Sequence, residues 1–421
     1  MVSVSVLGLA ALAVGPLVAA NAIPERSAGL TTSLRAVRNS HAASHVHARG
    51  LSRYGRAIPE GLASLVRRGD VDGSTVTTYD AATGEWAVIA AFGTPPQELP
   101  ILLDTGSWDC SQSEKSGLPA NISLYEPQDS ITARLLKGYT FDIIYGNGDQ
   151  ETSGDIEASG DVFLDVLTLG GITAPSQAVE SIVNYTSGFA ELGATGIVGM
   201  ALKKNNTVKP VKQNTFFDNI KDKLSLPVLV ADLYLEAESH YDFGYINRSL
   251  IDEPLTWTPV NTSDSQQGWW SITVDGYEVG SDGLYVESPF ASIVDTGTLQ
   301  NLFPSEIVSA YYAQVPTAVN STEYDAFVFP CNETLPDFSL TISGKKFTIP
   351  GSLLNVGVVT GDTCMGNIQV IPPATNGGLP QPNACIGASF MLQHLFVFDL
   401  GALHIGIAEK SYIENTTFVD L

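Results

Sequence analysis

The chain has 421 residues, 44% of them apolar, with 21 basic against 45 acidic side chains and a formal charge of −24. That length exceeds what one hydrophobic core supports and points to two domains or lobes. The acidic surplus argues against nucleic acid or an anionic membrane as a partner.

Residues 2–20 are almost wholly apolar or small, are broken by Gly15 and Pro16, and lead to Ala20-Asn21-Ala22. This pattern is that of a signal peptide spanning 1–22, although its basic n-region is reduced to the terminal amine. The alternative, a membrane anchor, is opposed by Pro16 and by the shortness of the run. No later run is apolar for long enough to cross a bilayer, and the segment Glu414 to Leu421 lacks the tail of a lipid-anchor signal. Eight Asn-x-Ser/Thr sequons, at Asn121, Asn184, Asn205, Asn247, Asn261, Asn320, Asn332 and Asn415, fit a secreted, extracellular glycoprotein.

Residues 23–68 differ in composition from all that follows. They hold eight arginines against Glu25 and Glu60 and end on Arg67-Arg68, which reads as an endoprotease processing site. Removing this +6 segment would leave a body of −30. The contrast suggests a basic propeptide held by charge over an acidic cleft as the chain's own inhibitor.

From Gly69 onward the chain reads as mainly β. The runs Trp86–Phe92, Phe141–Tyr145 and Val162–Leu169 are punctuated by Gly, Asn and Pro. Helical candidates are few; Thr215–Leu224 is one and Ser305–Gln314, just after Pro304, is another.

One phrase occurs twice. Asp104-Thr105-Gly106-Ser107 follows Ile101-Leu102-Leu103, and Asp295-Thr296-Gly297-Thr298 follows Ile293-Val294. An apolar strand that stops on Asp-Thr-Gly delivers a carboxylate to the end of a sheet. Thr can bond locally there, and Gly permits the tight turn. From average residue usage such a tetrapeptide arises by chance in roughly 1% of chains this long, so two copies are far rarer. Other chemistries lack their parts. His240, His394 and His404 stand in no nucleophile setting, and there is no Gly-x-Ser-x-Gly elbow. There is no His-Glu-x-x-His, and the cysteine spacings suit no zinc site, so neither a metal nor a cofactor is expected.

With these features together, the chain resembles the pepsin-like aspartic endopeptidases, particularly the fungal secreted ones. Phe92-Gly93-Thr94-Pro95-Pro96-Gln97 is similar to the family's turn before the first catalytic strand. Tyr145-Gly146-Asn147-Gly148 resembles the flap hairpin that closes over substrate. Gly196-Ile197-Val198-Gly199 and Cys385-Ile386-Gly387 look like the apolar-apolar-Gly elements that thread under the two Asp residues. Phe398-Asp399 and Ile405–Ala408 resemble the closing strands.

The resemblance implies a bilobal, mainly β fold, with two pseudo-twofold-related lobes around a cleft. We place the N-terminal lobe with its flap at 69–238 and the C-terminal lobe at 239–421. Asp104 and Asp295 are the implied catalytic pair. Two close carboxyls cannot both ionise, so they share a proton, an arrangement for which pepsin is the standard example. One then acts as base on a bound water while its protonated partner polarises the scissile carbonyl. Thr105 and Thr296 should cross-brace the turns formed with Gly106 and Gly297. Ser107 and Thr298 should bond the carboxylates from outside. Tyr145, with Gly146 and Asn147, is assigned to the substrate-binding flap. The implied partners are polypeptide substrates and the propeptide, and the implied state is a monomer.

The resemblance also pairs Cys331 with Cys364 in a C-lobe bridge, a loop whose closure contributes roughly 3–4 kcal/mol. Cys110 and Cys385 either form a second bridge near the cleft or both remain free. Three departures surround the cleft. The family's Ser-x-Leu-Trp-Val after the first motif is shortened here to Trp108-Asp109-Cys110-Ser111. The flap return, Asp149 to Asp161, is long and acidic. The family's second Gly-Asp is Gly387-Ala388. Two readings follow: an acid endopeptidase, or a pepsin-fold peptide-binding protein with weak or no catalysis.

Overall fold

In the strand Glu85–Phe92, Trp86, Val88, Ala90 and Phe92 are buried, whereas Ile89 is exposed. That period of two is what a strand covered on one face requires. The next strand, Gln97–Asp104, ends instead in the unbroken buried run Ile101-Leu102-Leu103-Asp104. It lies between neighbours on both sides, and its apolar run is that of a strand covered on both faces.

The computed structural model describes residues 71–81, 84–107, 109–113, 124–145, 156–185, 195–263, 267–372 and 382–419. The expected signal peptide, the basic segment with Arg67-Arg68, Trp108, Gly146, Asn147 and most of the acidic flap return lie outside the described residues.

Among the described residues, thirteen strands form one continuous sheet. It begins with Thr256–Pro259, His404–Glu409, His394–Asp399, Val228–Asp232, Ser239–Phe243 and Gly73–Asp80, a bridge drawn from both halves of the chain. It continues through Glu85–Phe92, Gln97–Asp104, Gly196–Gly199 and Cys110–Ser113 to the long strands Ile172–Tyr185, Ile156–Leu169 and Arg134–Tyr145. The second half adds a seven-stranded sheet around Ser271–Val279 and Val286–Val294, and a four-stranded sheet edged by Val319–Ser321 and Asn355–Thr360. The fold is bilobal and mainly β.

The two halves repeat one local arrangement. Leu102 and Leu103 pair in parallel with Ile197 and Val198, and Ile293 and Val294 pair in parallel with Cys385 and Ile386. On the far side of each short strand the chain returns antiparallel, Cys110 opposite Val198 and Leu302 opposite Cys385. The repeat in the sequence is therefore a repeat in hydrogen-bond register.

A single apolar core runs from Trp86 and Phe92 through Phe216, Phe217 and Trp270 to Phe396 and Phe398. Trp86 Nε1 donates to Tyr234 O and Trp270 Nε1 to Met200 O, each at 2.9 Å, so both indoles enter the core with their polar atom satisfied. Phe141, Ile143, Val162 and Ile182, from Arg134–Tyr145, Ile156–Leu169 and Ile172–Tyr185, make a separate cluster.

Both helices are shorter than expected. The first spans Phe216–Ile220, capped by Thr215, whose hydroxyl accepts the Asp218 N–H. It stops before Leu224 because that residue bridges to Val71, with Val71 N bonded to Lys223 O at 3.1 Å. The second spans Ser305–Tyr312 and tightens at its end, where Val315 N donates to Tyr312 O. Cys331 and Cys364 are joined in a disulfide. Cys110 and Cys385 are buried and free, so no second bridge forms.

Candidate active site

Each Asp-Thr-Gly turn closes on itself and on the other. Gly106 N donates to Asp104 Oδ1 at 2.6 Å, and Gly297 N donates to Asp295 Oδ1 at 2.8 Å. These are Asx-type turns: each carboxylate accepts the N–H two residues on, which fixes its outward direction at the strand end.

Between the turns, Thr105 N donates to Thr296 Oγ1 at 3.0 Å, and Thr296 N donates to Thr105 Oγ1 at 2.9 Å. Each hydroxyl then passes its own proton across the divide. Thr105 Oγ1 donates to Val294 O at 3.0 Å, and Thr296 Oγ1 donates to Leu103 O at 2.6 Å. The two strands that carry Asp104 and Asp295 are thus tied by four buried bonds.

The glycines decide how close the carboxyls come. A methyl group placed on Gly106 would lie 2.4 Å from Asp295 Cγ, and one on Gly297 would lie 2.5 Å from Asp104 Cγ. Each carboxyl lies against the other's turn, in space that any larger residue would fill. Asp104 and Asp295 are 9% and 7% exposed, just enough to meet a ligand from the cleft.

Burial, and next the adjacent Asp295, push the Asp104 carboxyl well above its usual range. The neighbouring hydroxyls differ. Thr298 Oγ1 donates to Asp295 Oδ2 at 2.8 Å. Ser107 Oγ is buried without a bond of ordinary geometry, though it faces Asp104 closely enough to oppose the rise. Cys385 adds a third group on the C-lobe side, its Sγ 4.0 Å from Asp295 Oδ2.

Two acidic features near the pair gave no sequence signal. Glu85, at the start of its strand, is pushed up to about 8 by burial and then by Asp295. The other feature is a second, buried carboxyl pair, Asp109 and Glu180, each 1% exposed. Asp109 Oδ1 accepts from Asn206 Nδ2 at 2.6 Å, Thr207 N at 2.9 Å and Thr207 Oγ1 at 3.2 Å. Asn206 Nδ2 also reaches Glu180 Oε1 at 3.2 Å. Burial pushes Asp109 up to about 6, and burial with the adjacent Asp109 pushes Glu180 higher than usual. This pair anchors the stretch after Ser107. Gly199 N donates to Asp109 O at 2.8 Å, and Ala201 N donates to Ser107 O at 2.9 Å. The shortened run therefore rejoins the sheet directly, with Cys110 already in register opposite Val198.

In the second half, the departure at Gly387-Ala388 keeps its main-chain contact, since Ala388 N donates to Thr298 O at 2.7 Å. Ala388 is buried. Tyr145 ends its strand paired antiparallel with Ile156. Among the described residues no group of three or more His, Cys, Asp or Glu is placed to hold a metal.

The model of one protein family, eukaryotic aspartyl protease, matches residues 86–410. The chain is 38% identical to penicillopepsin-3 of Penicillium janthinellum over 420 residues, 97% of this chain and all of that protein. It is 36% identical to endothiapepsin of Cryphonectria parasitica over 330 residues, 75% of this chain and 76% of that one. Its fold is similar to the crystal structure of an aspartic proteinase from Irpex lacteus, with a TM-score of 0.68, 21% identity, and coverage of 82% of this chain and 99% of the other. The chain belongs to the eukaryotic aspartyl protease family and, within it, is a pepsin-like aspartic peptidase of the fungal type.

Proposed function

We propose that this is a secreted endopeptidase, made as a zymogen, that cuts extended polypeptides at acidic pH with Asp104 and Asp295 as its catalytic pair. The observation that carries the assignment is the packing of each carboxyl against the other's turn glycine. Carboxyls that close share one proton, and burial with the adjacent Asp295 pushes the Asp104 carboxyl well above its usual range. One carboxylate of the pair takes a proton from a bound water as the water oxygen attacks the scissile carbonyl carbon, and its protonated partner gives its proton to the carbonyl oxygen. When the resulting diol collapses, the leaving nitrogen takes the proton received from water, the C–N bond breaks, and a diol proton returns to the partner carboxylate. The four buried bonds between Thr105 and Thr296 and the opposite strands hold the pair in place, so little reorganisation accompanies the step.

Tyr145, Gly146 and Asn147 form the substrate flap in this reading, residues 23–68 are the inhibitory propeptide, and the mature monomer begins near Gly69. The acidic body and the basic leader favour release of that propeptide as carboxylates protonate. Asp104→Asn and Asp295→Asn test the assignment. Each should abolish cleavage of an unfolded protein substrate while leaving the circular dichroism spectrum unchanged. Cleavage that survives in either variant would place the chemistry elsewhere.

A further inference from the structure

The eight sequons are equivalent as sequence, but the fold treats them differently. At Asn205-Asn206-Thr207 the side chain of each residue makes a hydrogen bond within the fold. Asn205 is 9% exposed, and its Nδ2, the atom that would carry a sugar, donates to Gln267 O at 2.8 Å. A methyl placed on Gly268 would lie only 2.4 Å from that same Nδ2, so the main chain is packed against it. The Thr207 hydroxyl donates to buried Asp109 at 3.2 Å in the fold. At Asn247-Arg248-Ser249, Asn247 is 6% exposed, and its Oδ1 accepts both Ser249 N at 3.2 Å and Ser249 Oγ at 2.7 Å.

Asn320, Asn332 and Asn415 are exposed. Asn332 follows the disulfide at Cys331. Asn320 lies on Val319–Ser321, an edge strand of the four-stranded sheet, beside Val319, itself 58% exposed. An exposed apolar edge invites pairing with another chain unless it is covered or charged. Thr317 and Glu333 are hydrogen-bonded, which brings the Asn320 and Asn332 regions onto one patch.

We infer that Asn320, Asn332 and Asn415 carry N-linked oligosaccharide, that Asn205 and Asn247 do not, and that the sugar on Asn320 covers the Val319–Ser321 edge. A bulky, solvated group is compatible with the first three positions and would have to break packed hydrogen bonds at the other two. This inference rests on the proposed secretion of the chain.

The test is site-resolved. The full chain is expressed in a eukaryotic host, once with its own leader and once with a host leader replacing residues 1–22. Tryptic peptides are then deglycosylated enzymatically in ¹⁸O-labelled water and sequenced by mass spectrometry. Labelled aspartate is expected at positions 320, 332 and 415, with unmodified asparagine at 205 and 247. A label at 205 or 247, or unmodified asparagine at 320, 332 or 415 in chain delivered by the host leader, overturns the inference. Failure of the native leader alone would count against secretion and leave the site pattern to be read from the second chain. Asn320→Gln should make the purified protein self-associate where the parent stays monomeric; equal behaviour of the two would remove the edge-covering role.

Discussion

Thr105 and Thr296 exchange hydrogen bonds reciprocally: each hydroxyl accepts the other's main-chain N–H while donating to a carbonyl on the opposite strand. Replacing either by Val keeps the shape and leaves buried N–H and C=O groups unpaired. Each single variant should lose about 1–3 kcal/mol of stability in denaturant titration. The double variant should lose less than the sum, because the bonds are shared. Strict additivity would mean that the two threonines act independently.

Gly106→Ala places a methyl where Asp295 Cγ now lies. The carboxyl must move by something near an ångström, and displacement on that scale costs on the order of 100-fold in rate. The expected result is a fall in kcat of that size with a melting temperature close to the parent's. Full activity in this variant would show that the carboxyls are farther apart than described.

The buried pair Asp109 and Glu180 predicts a loss of stability toward neutral pH. A carboxyl whose pKa is raised on folding contributes stability that is complete below its unfolded value and is lost as pH rises through its folded value. For Asp109 the window runs from 3.8 to about 6, worth on the order of 3 kcal/mol. Glu180 shifts in the same direction. Melting temperature should therefore fall between pH 4 and pH 7, and Glu180→Gln should flatten the decline. An unchanged slope in that variant would assign the decline to general charge repulsion instead.

His394 works from the acid side. It is buried, stacks on Phe390 with ring centroids 4.7 Å apart, and its Nδ1 lies 2.9 Å from Phe390 O. Burial lowers its pKa from 6.5 to about 4. A depressed folded value means stability present above 6.5 and lost as pH falls through about 4, again on the order of 3 kcal/mol. His394→Gln, which keeps a donor for Phe390 O, should remove this acid-side loss. Calorimetry between pH 3 and pH 7 reads both limbs together.

The parts of the site that could be read in the sequence are those written locally. Strand, Asp-Thr-Gly turn and apolar-apolar-Gly are each a few residues long and occur twice in the same order; the structure supplies their register, Leu103 with Val198 and Val294 with Ile386. The parts that could not be read are contacts between distant polar residues. Nothing near Asp109 marks it as the partner of Glu180, and nothing near Glu85 marks its approach to Asp295. The helix expected over Thr215–Leu224 ended early for the same reason, a bridge to Val71 that local propensity does not contain. The sequons at Asn205 and Asn247 look like their exposed counterparts until their side-chain partners are known.

The central claim is that Asp104 and Asp295 act as one unit sharing one proton. The most direct test is the pH dependence of kcat/KM for the activated enzyme on a soluble peptide, with a statine-containing inhibitor as control. A shared-proton pair predicts a bell confined to the acid range, with both limbs belonging to the pair, and inhibition strongest where the bell peaks. A rate that climbs through neutrality to a plateau, insensitive to the inhibitor, would contradict it.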